Sequence, residues 1–361
     1  MADKTTGARR ARLSARMTRY AVKSILTQTS PGAFRAVACG LDGRPVRLFT
    51  QRWSGEGEPA RYGAVMDARI RTFADELRGA FCELSSGEEA FLRLKSRNGL
   101  SQGAALRVKI ESEARDDKLA RVSKTEDPCI ARDAFDLWRE SNGVSAQVEM
   151  REDREAVTAA FDDVSSPTAT LPNGGTLHVG RTRALTAFDV DTAGRLDKGS
   201  AGARALSINR DAITEMARQI GLRGLGGLMV LDCLSPINAD ASGRLRDTGR
   251  SAFEAYGLSN VRLLKPSPLG LLEASVPWRV RPIQDIRNDD LAETTLLDLF
   301  RDVQREADAQ PNAFFEVALS EQVWRAYQAR RSETDQALVE AFSGRVRLDK
   351  TTAEKSEVRR T

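Results

Sequence analysis

The sequence has few of the residues that build metal clusters, disulfides or membrane spans. Its cysteines, at positions 39, 82, 129 and 233, form no Cys-x-x-Cys pair, and its single histidine is His178. A Cys/His zinc site is therefore not expected, and scattered cysteines are typical of a reducing compartment. No apolar run approaches the roughly 20 residues of a membrane-spanning helix. These absences predict a cytoplasmic protein without zinc and without a membrane span.

The scarcity of histidine also limits the chemistry. His178 lies in a predicted strand with no nucleophile–histidine–acid arrangement around it, so a structural role is expected for its side chain. Lys and Arg number 55 against 51 Asp and Glu, a net charge of +4 that neither requires nor excludes nucleic acid as a partner. The length of 361 residues predicts two or three domains.

What the centre of the sequence does contain is a pair of acidic strand ends. An apolar run over residues 184–188 ends in Asp189-Val190-Asp191, and a second run over 228–231 ends in Asp232, with a helical pattern between them. Strand, helix and strand in this order predict a βαβ unit. Its parallel strands are expected to be buried on both faces, and ligands bind beyond their carboxyl ends.

This pair of strand ends suits a magnesium ion. Mg²⁺ is usually held by one or two carboxylates, with water and substrate phosphate completing the octahedron. If the strands are neighbours, Asp189 and Asp232 come within reach of one ion, and Asp191 points to the same side as Asp189. Aspartate at a strand end is also a common turn or cap residue, and the residues alone leave that alternative open.

The polar loop after these acids carries two cations, Arg195 and Lys198. Beside a carboxylate–metal site, such side chains can hold phosphate oxygens. Ordinary solvation of a charged loop is the alternative.

Residues 63–122 carry several short strands separated by turns, which predicts a small β barrel of the OB type. Barrels of this type bind single-stranded nucleic acid by stacking bases on exposed aromatic rings beside basic side chains. Phe81 and Phe91 are the candidates for stacking. A phenylalanine in a strand is more often part of the core, so this reading competes with a structural one.

The centre of the chain resembles the ribonuclease E/G family. The resemblance is carried by Leu171-Pro172-Asn173-Gly174-Gly175, by residues 184–191, by residues 215–232, and by Gly270-Leu271-Leu272-Glu273-Ala274-Ser275. It implies a deoxyribonuclease I-like catalytic subdomain in which Asp189 and Asp232 bind the metal. Asp191 stands where the family has asparagine, which keeps an oxygen ligand and adds a charge.

The resemblance extends to the barrel, where Phe81 and Phe91 match the family's RNA-contacting phenylalanines and Lys118 matches a family lysine. It implies an α/β catalytic domain with RNase H-like and deoxyribonuclease I-like subdomains, an inserted OB-type barrel and a small α+β C-terminal domain. The predicted parts are a flexible basic tail (1–34), the remnant of the RNase H-like subdomain (35–62 and 123–165), the RNA-binding barrel (63–122), the metal-binding catalytic subdomain (166–284) and the C-terminal domain (285–361).

Two features of the family are missing from the sequence. The first is the family's sensor for the 5′ end of RNA. The segment between barrel and catalytic subdomain is short and shows no Arg-Thr pair of that sensor. Pro268 stands at the position of a further arginine of the sensor. Sensing of a 5′-monophosphate is therefore not expected. Residues 276–280 contain no Cys-x-x-Cys, so a zinc-linked dimer is not expected either, and the sequence does not determine the oligomeric state.

Residues and resemblance together predict an endoribonuclease that depends on Mg²⁺, or on Mn²⁺, and cleaves single-stranded RNA. The expected reaction is attack of a metal-activated hydroxide on the phosphodiester, and the family implies products with a 5′-phosphate and a 3′-hydroxyl. The main alternative is an RNA-binding protein of the same fold with little or no cleavage. A deoxyribonuclease or phosphoesterase on the same subdomain type is a third possibility.

Overall fold

A computed structural model describes residues 21–53, 60–97, 99–130, 132–145, 147–192, 195 and 199–360. The strands are β1 (Val22–Ser30), β2 (Ala33–Gly40), β3 (Pro45–Arg52), β4 (Val65–Ala74), β5 (Gly79–Leu84), β6 (Glu89–Arg93), β7 (Ala105–Ser112), β8 (Ala120–Lys124), β9 (Glu149–Glu152), β10 (Thr168–Thr170), β11 (Thr176–Arg181), β12 (Leu185–Asp191), β13 (Gly227–Asp232), β14 (Arg262–Leu263), β15 (Leu271–Val276), β16 (Phe315–Leu319), β17 (Val346–Lys350) and β18 (Glu357–Arg360). The helices are α1 (Ala134–Ser141), α2 (Arg154–Ser165), α3 (Ala201–Arg223), α4 (Ala239–Ala255), α5 (Ile283–Asn288), α6 (Leu291–Ala309), α7 (Glu321–Ala329) and α8 (Arg331–Phe342). Within the described ranges, no helix is both long and apolar enough to cross a bilayer.

The predicted βαβ unit forms the centre of a six-stranded sheet with the order β10-β11-β12-β13-β15-β14. Strands β12 and β13 pair in parallel, and α3 connects them. The other pairs in this sheet are antiparallel. Helices α3 and α4 pack on one face of the sheet, where their apolar side chains share a core with β12 and β13.

The expectation that these strands are buried on both faces is wrong. Along β12, Phe188 and Val190 are buried, whereas Ala187, Asp189 and Asp191 are exposed. Both helices cover the same face, so the opposite face of the sheet is open to solvent. An open face is common in sheets with antiparallel pairs.

Helix α3 begins at Ala201 and ends at Arg223. Ser200 caps it, its side chain accepting a hydrogen bond from the backbone N–H of Ala203, as N-cap serines do. Gly224 adopts a left-handed conformation (φ 71°) directly after the helix, as is common at helix C-termini.

A four-stranded sheet with the order β3-β2-β1-β9 lies on the N-terminal side. A hairpin with Asp42-Gly43 in its turn joins β2 and β3. The predicted tail over 1–34 is too long, since β1 lies within it, while residues 1–20 are outside the described part. Gln28 of this strand is buried and donates to Thr158 of α2.

The barrel is present as predicted. Strands β4, β5, β6, β8 and β7 close in that order around a core of small and aliphatic side chains. The segment that follows β7 contacts the segment that follows β15 of the central sheet. The carboxylate of Glu113 accepts hydrogen bonds from the backbone N–H of Tyr62 (3.0 Å) and Arg281 (2.8 Å), and the guanidinium of Arg115 lies 4.1 Å from the ring centre of Trp278.

The C-terminal part contains a three-stranded sheet, β17-β16-β18, packed with α6, α7 and α8 around one core. It contacts the N-terminal sheet through apolar side chains, since Ala33 of β2 and Trp53 pack in the same core, and also through polar groups. Arg52 at the end of β3 forms an ion pair with Glu293 of α6 (2.9 Å), and the indole N–H of Trp53 donates to the same carboxylate (2.9 Å).

The turn before β13 leaves no room for a side chain, which gives a test of the packing that positions this strand. A Cβ at Gly226 would lie 2.7 Å from the Trp278 ring and 2.8 Å from its Cα. We expect Gly226→Ala to lower the free energy of unfolding by about 1–3 kcal/mol, as overpacking does, in urea denaturation. Gly243→Ala on α4 meets nothing within 4 Å, and should be neutral or stabilising because alanine favours helix. Equal losses in both variants would contradict this account.

Candidate active site

The two central aspartates lie on neighbouring strands. The parallel register pairs Phe188 with Leu231, so the next residue on each strand, Asp189 and Asp232, follows side by side. Adjacent strands are about 4.8 Å apart. Both aspartates are exposed, and the alternation of the strands places them on the open face of the sheet. The fold therefore brings together two carboxylates that are far apart in the sequence.

The donor set at this point is small. Within the described residues, no group of three or more His, Cys, Asp or Glu side chains is arranged to hold a metal ion. The open face thus offers a cation the adjacent carboxylates of Asp189 and Asp232, hard oxygen ligands in the number that Mg²⁺ commonly takes. Asp191 is exposed on the same side of β12, and its role as a further ligand stays a prediction.

A residue that the sequence reasoning left aside stands next to this pair. His178 of β11 pairs directly with Asp189 in the antiparallel register and is exposed. Its side chain is therefore not part of the core, and its role stays a prediction. The alternation of the sequence could have indicated this exposure. His178 stands between the apolar residues Leu177 and Val179, which are both buried, so its side chain belongs to the opposite face of the strand.

The cysteine next to the site belongs to the core. Cys233 follows Asp232 and is buried, and its side chain packs among the apolar residues beneath the sheet. Burial, and secondarily the negative charge of Asp232, raise the pKa of its thiol to about 12. Its side chain therefore lies on the side of the sheet away from the exposed Asp232.

The two loop cations differ in what the structure shows of them. The side chain of Arg195 is 2% exposed, and its Nη1 forms an ion pair with Asp211 of α3 (2.8 Å). Its Nη2 donates to the hydroxyl of Ser207 on the same helix (3.2 Å). Arg195 therefore ties the loop to α3, and its contact with phosphate stays a prediction. Lys198 lies outside the described residues.

The two phenylalanines of the barrel form one aromatic surface. Phe81 of β5 and Phe91 of β6 are direct cross-strand partners, with ring centres 5.5 Å apart and planes at 66°. Both are partly exposed, whereas their neighbours point into the barrel core; the buried neighbours are Ala80, Cys82, Ala90 and Leu92. The rings thus lie on the outside of the barrel, where a base can reach them.

Basic side chains flank this aromatic surface. Arg121 of β8 is the register partner of Phe91 and is exposed. Lys118 is exposed in the turn that precedes β8, where its backbone N–H donates to Arg115 (2.8 Å). The same turn reaches the central sheet, because Asp117 forms an ion pair with Arg183 (3.1 Å) just before β12.

This contact relates the two candidate sites. Arg183 precedes β12 and Asp189 lies near its carboxyl end, roughly 20 Å away at about 3.3 Å per residue. The Lys118 turn and the carboxylate pair are therefore two separate places on the molecule.

Comparison with known proteins gives a match in the same region. Residues 109–276 match the family model described as the Ribonuclease E/G family. Ribonuclease E of Haemophilus influenzae is 38% identical over 109 residues, which is 29% of this chain and 11% of that protein. Ribonuclease E of Escherichia coli is 36% identical over 109 residues, which is 29% of this chain and 10% of that protein. A putative ribonuclease E of Buchnera aphidicola subsp. Baizongia pistaciae is 40% identical over 123 residues, which is 34% of this chain and 30% of that protein.

The chain thus spans about a tenth of the length of the first two relatives. The family match includes Lys118, Asp189, Asp191 and Asp232, whereas Phe81 and Phe91 precede it. The roles of the acid pair and of the aromatic surface stay predictions, because the match gives a range of residues and no role for any one of them.

Proposed function

We propose that this chain is an endoribonuclease acting on single-stranded RNA. The premise is that it is a member of the ribonuclease E/G family through residues 109–276. The observation that carries the proposal is the pair of adjacent, exposed carboxylates, Asp189 and Asp232, on the open face of the central sheet. The described cysteines are free, which supports the cytoplasm as the location of this activity.

Asp189 and Asp232 would hold a divalent ion, Mg²⁺ or Mn²⁺. Such an ion, when bound, lowers the pKa of a water molecule to supply a nucleophile and offsets negative charge on the phosphate. The chain itself fixes the two carboxylates on rigid strands. The uncovered face of the sheet gives a phosphodiester backbone direct access to them.

The barrel would supply the preference for single strands. Bases stack on Phe81 and Phe91 only when they are not paired and stacked within a duplex. Lys118 and Arg121 would contact the phosphate backbone, so binding should weaken as salt increases.

His178 would assist the reaction from β11. Its position opposite Asp189 allows an imidazole N–H to donate to a phosphate oxygen of the RNA. We expect His178→Gln to lower the cleavage rate about 10- to 100-fold, the value of a hydrogen bond to a charged group, with little change in melting temperature. The control is Thr170→Val on the exposed edge strand β10, which should cleave normally. An unchanged rate in His178→Gln would remove this role.

The function itself is tested by digesting RNA and DNA of one unstructured sequence in parallel, with Mg²⁺, with Mn²⁺ and with chelator. We expect RNA to be cut with either metal, and neither the DNA nor the chelated sample to be cut. RNA that is bound but intact under every metal would favour the alternative, an RNA-binding protein with little cleavage. Cleavage of DNA as well as RNA would favour a broader phosphodiesterase.

A further inference from the structure

Three arginines converge on one carboxylate between the N-terminal sheet and the C-terminal part. Asp298 of α6 lies 3.6 Å from Nη2 of Arg35 on β2 and 3.5 Å from Nη2 of Arg287 on α5. Its carboxylate also pairs with Arg301, one turn further along α6. Three positive charges against one negative charge leave a net charge of +2 in this arginine cluster.

In the part of the chain that the structure describes, no further carboxylate pairs with these three arginines. Arg52 lies close enough to lower the pKa of Arg35, but its own charge is offset by Glu293 (2.9 Å). The guanidinium of Arg35 also lies 4.5 Å from the ring centre of Phe161 on α2. That cation–π contact stabilises one face of Arg35 and contributes no formal charge.

Two of the three arginines are buried. The side chains of Arg35 and Arg301 are 7% and 8% exposed. Within the described part of the chain, Nε of Arg35 and Nη1 of Arg301 have no hydrogen-bond partner. Burial, and then repulsion from Arg301, lower the pKa of Arg35 to about 9. Both guanidinium groups share the one carboxylate of Asp298, and each keeps a buried N–H without an acceptor. Unsatisfied buried donors cost free energy, so this arrangement favours an additional anion.

We propose that the arginine cluster binds a phosphate group, as inorganic phosphate or as the monoester of a mononucleotide. A phosphate dianion matches the net charge of +2, and its several oxygens suit the planar fork of donors that each guanidinium presents. The site opens toward solvent through Asp298, which is 40% exposed, and Arg287, which is 24% exposed. The site is distinct from the carboxylate pair, and it does not depend on RNA cleavage.

The first experiment measures phosphate binding to the full chain by calorimetry and by thermal unfolding, against chloride at equal ionic strength. We expect saturable binding and a rise in melting temperature with phosphate. Arg301→Gln should weaken binding about tenfold or more, since it removes charge-assisted hydrogen bonds. Arg244→Gln is the matched control, because Arg244 forms an exposed ion pair with Asp240 on α4 and should bind phosphate normally.

A second variant changes binding in the opposite direction and does not depend on the stability of Arg301→Gln. Asp298→Asn removes the carboxylate that competes with phosphate for the same donors. We expect about tenfold tighter binding and a larger rise in melting temperature with phosphate than in the wild type. Unchanged affinity in both Asp298→Asn and Arg301→Gln would overturn the proposal, as would a phosphate effect no larger than that of chloride.

The source of the phosphate group is distinguished with AMP and adenosine. Tighter binding of AMP than of inorganic phosphate would assign the site to a mononucleotide, and equal or weaker binding would assign it to free phosphate. Adenosine should not bind in either case, because it lacks the dianion. Adenosine binding as tightly as AMP would contradict an arginine-based phosphate site.

Discussion

Asparagine in place of either Asp189 or Asp232 is expected to slow RNA cleavage about a thousandfold or more. The substitution keeps the shape of the side chain and removes the charge that would hold a divalent ion. The cleavage rate falls by this order when electrostatic stabilisation of a reacting phosphate is removed. Both side chains are exposed, so the free energy of unfolding should change by about 0.5 kcal/mol or less. Single-turnover cleavage of an unstructured RNA, with thermal unfolding alongside, measures both quantities.

The matched control is Asp240→Asn, which changes an exposed aspartate on α4 that pairs with Arg244. It should cleave at the wild-type rate. If Asp189→Asn and Asp232→Asn both cut as fast as this control, the active site is elsewhere on the molecule. RNA affinity should remain close to wild type in both variants, since stacking on the barrel does not involve these carboxylates.

The second large effect is expected at the aromatic surface of the barrel. A stacked base contributes about 1–3 kcal/mol, so Phe81→Ala or Phe91→Ala should weaken binding of single-stranded RNA roughly 5- to 150-fold. The two rings touch, so the double variant should lose less than the sum of the single losses. Fluorescence anisotropy with a short labelled RNA gives the affinities.

Phe314→Ala provides the control, because Phe314 is 57% exposed in the C-terminal part, away from the barrel strands. Its substitution should leave RNA affinity unchanged. The barrel itself should stay folded in the Phe81 and Phe91 variants, since its core is built from the alternate residues of β5 and β6. Affinity within twofold of wild type in the double variant would show that RNA does not stack on these rings.

The position of the acid pair followed from the sequence because two local patterns determine it. Apolar runs that end in Asp189-Val190-Asp191 and in Asp232, separated by a helix, predict neighbouring parallel strands, and the register agrees. Burial of both faces was overestimated. Residues 184–188 read as one apolar run, which is typical of a strand buried on both faces. In the structure Thr186 is buried and Ala187 is exposed. The number of helices on each face depends on the whole topology and not on any one strand.

Other features depend on partners that are distant in the chain. Gln28 and Ser30 are buried in β1, and the groups that cover polar residues of this kind come from elsewhere in the chain. Arg195 appeared to be a solvated loop cation, but Asp211 on α3 pairs with it in the folded chain. The exposure of His178 was readable from its alternation with Leu177 and Val179, yet its position opposite Asp189 requires the β11–β12 register.

The most direct test of the central claim is a crystal of the chain soaked with Mn²⁺ and measured by anomalous diffraction. We expect one peak between Asp189 and Asp232, at about 2.1 Å from an oxygen of each carboxylate, as for a hard cation of this size. The peak should be absent in crystals of Asp189→Asn. A strong peak at another group of side chains, in a protein that cleaves RNA, would contradict the assignment of this site.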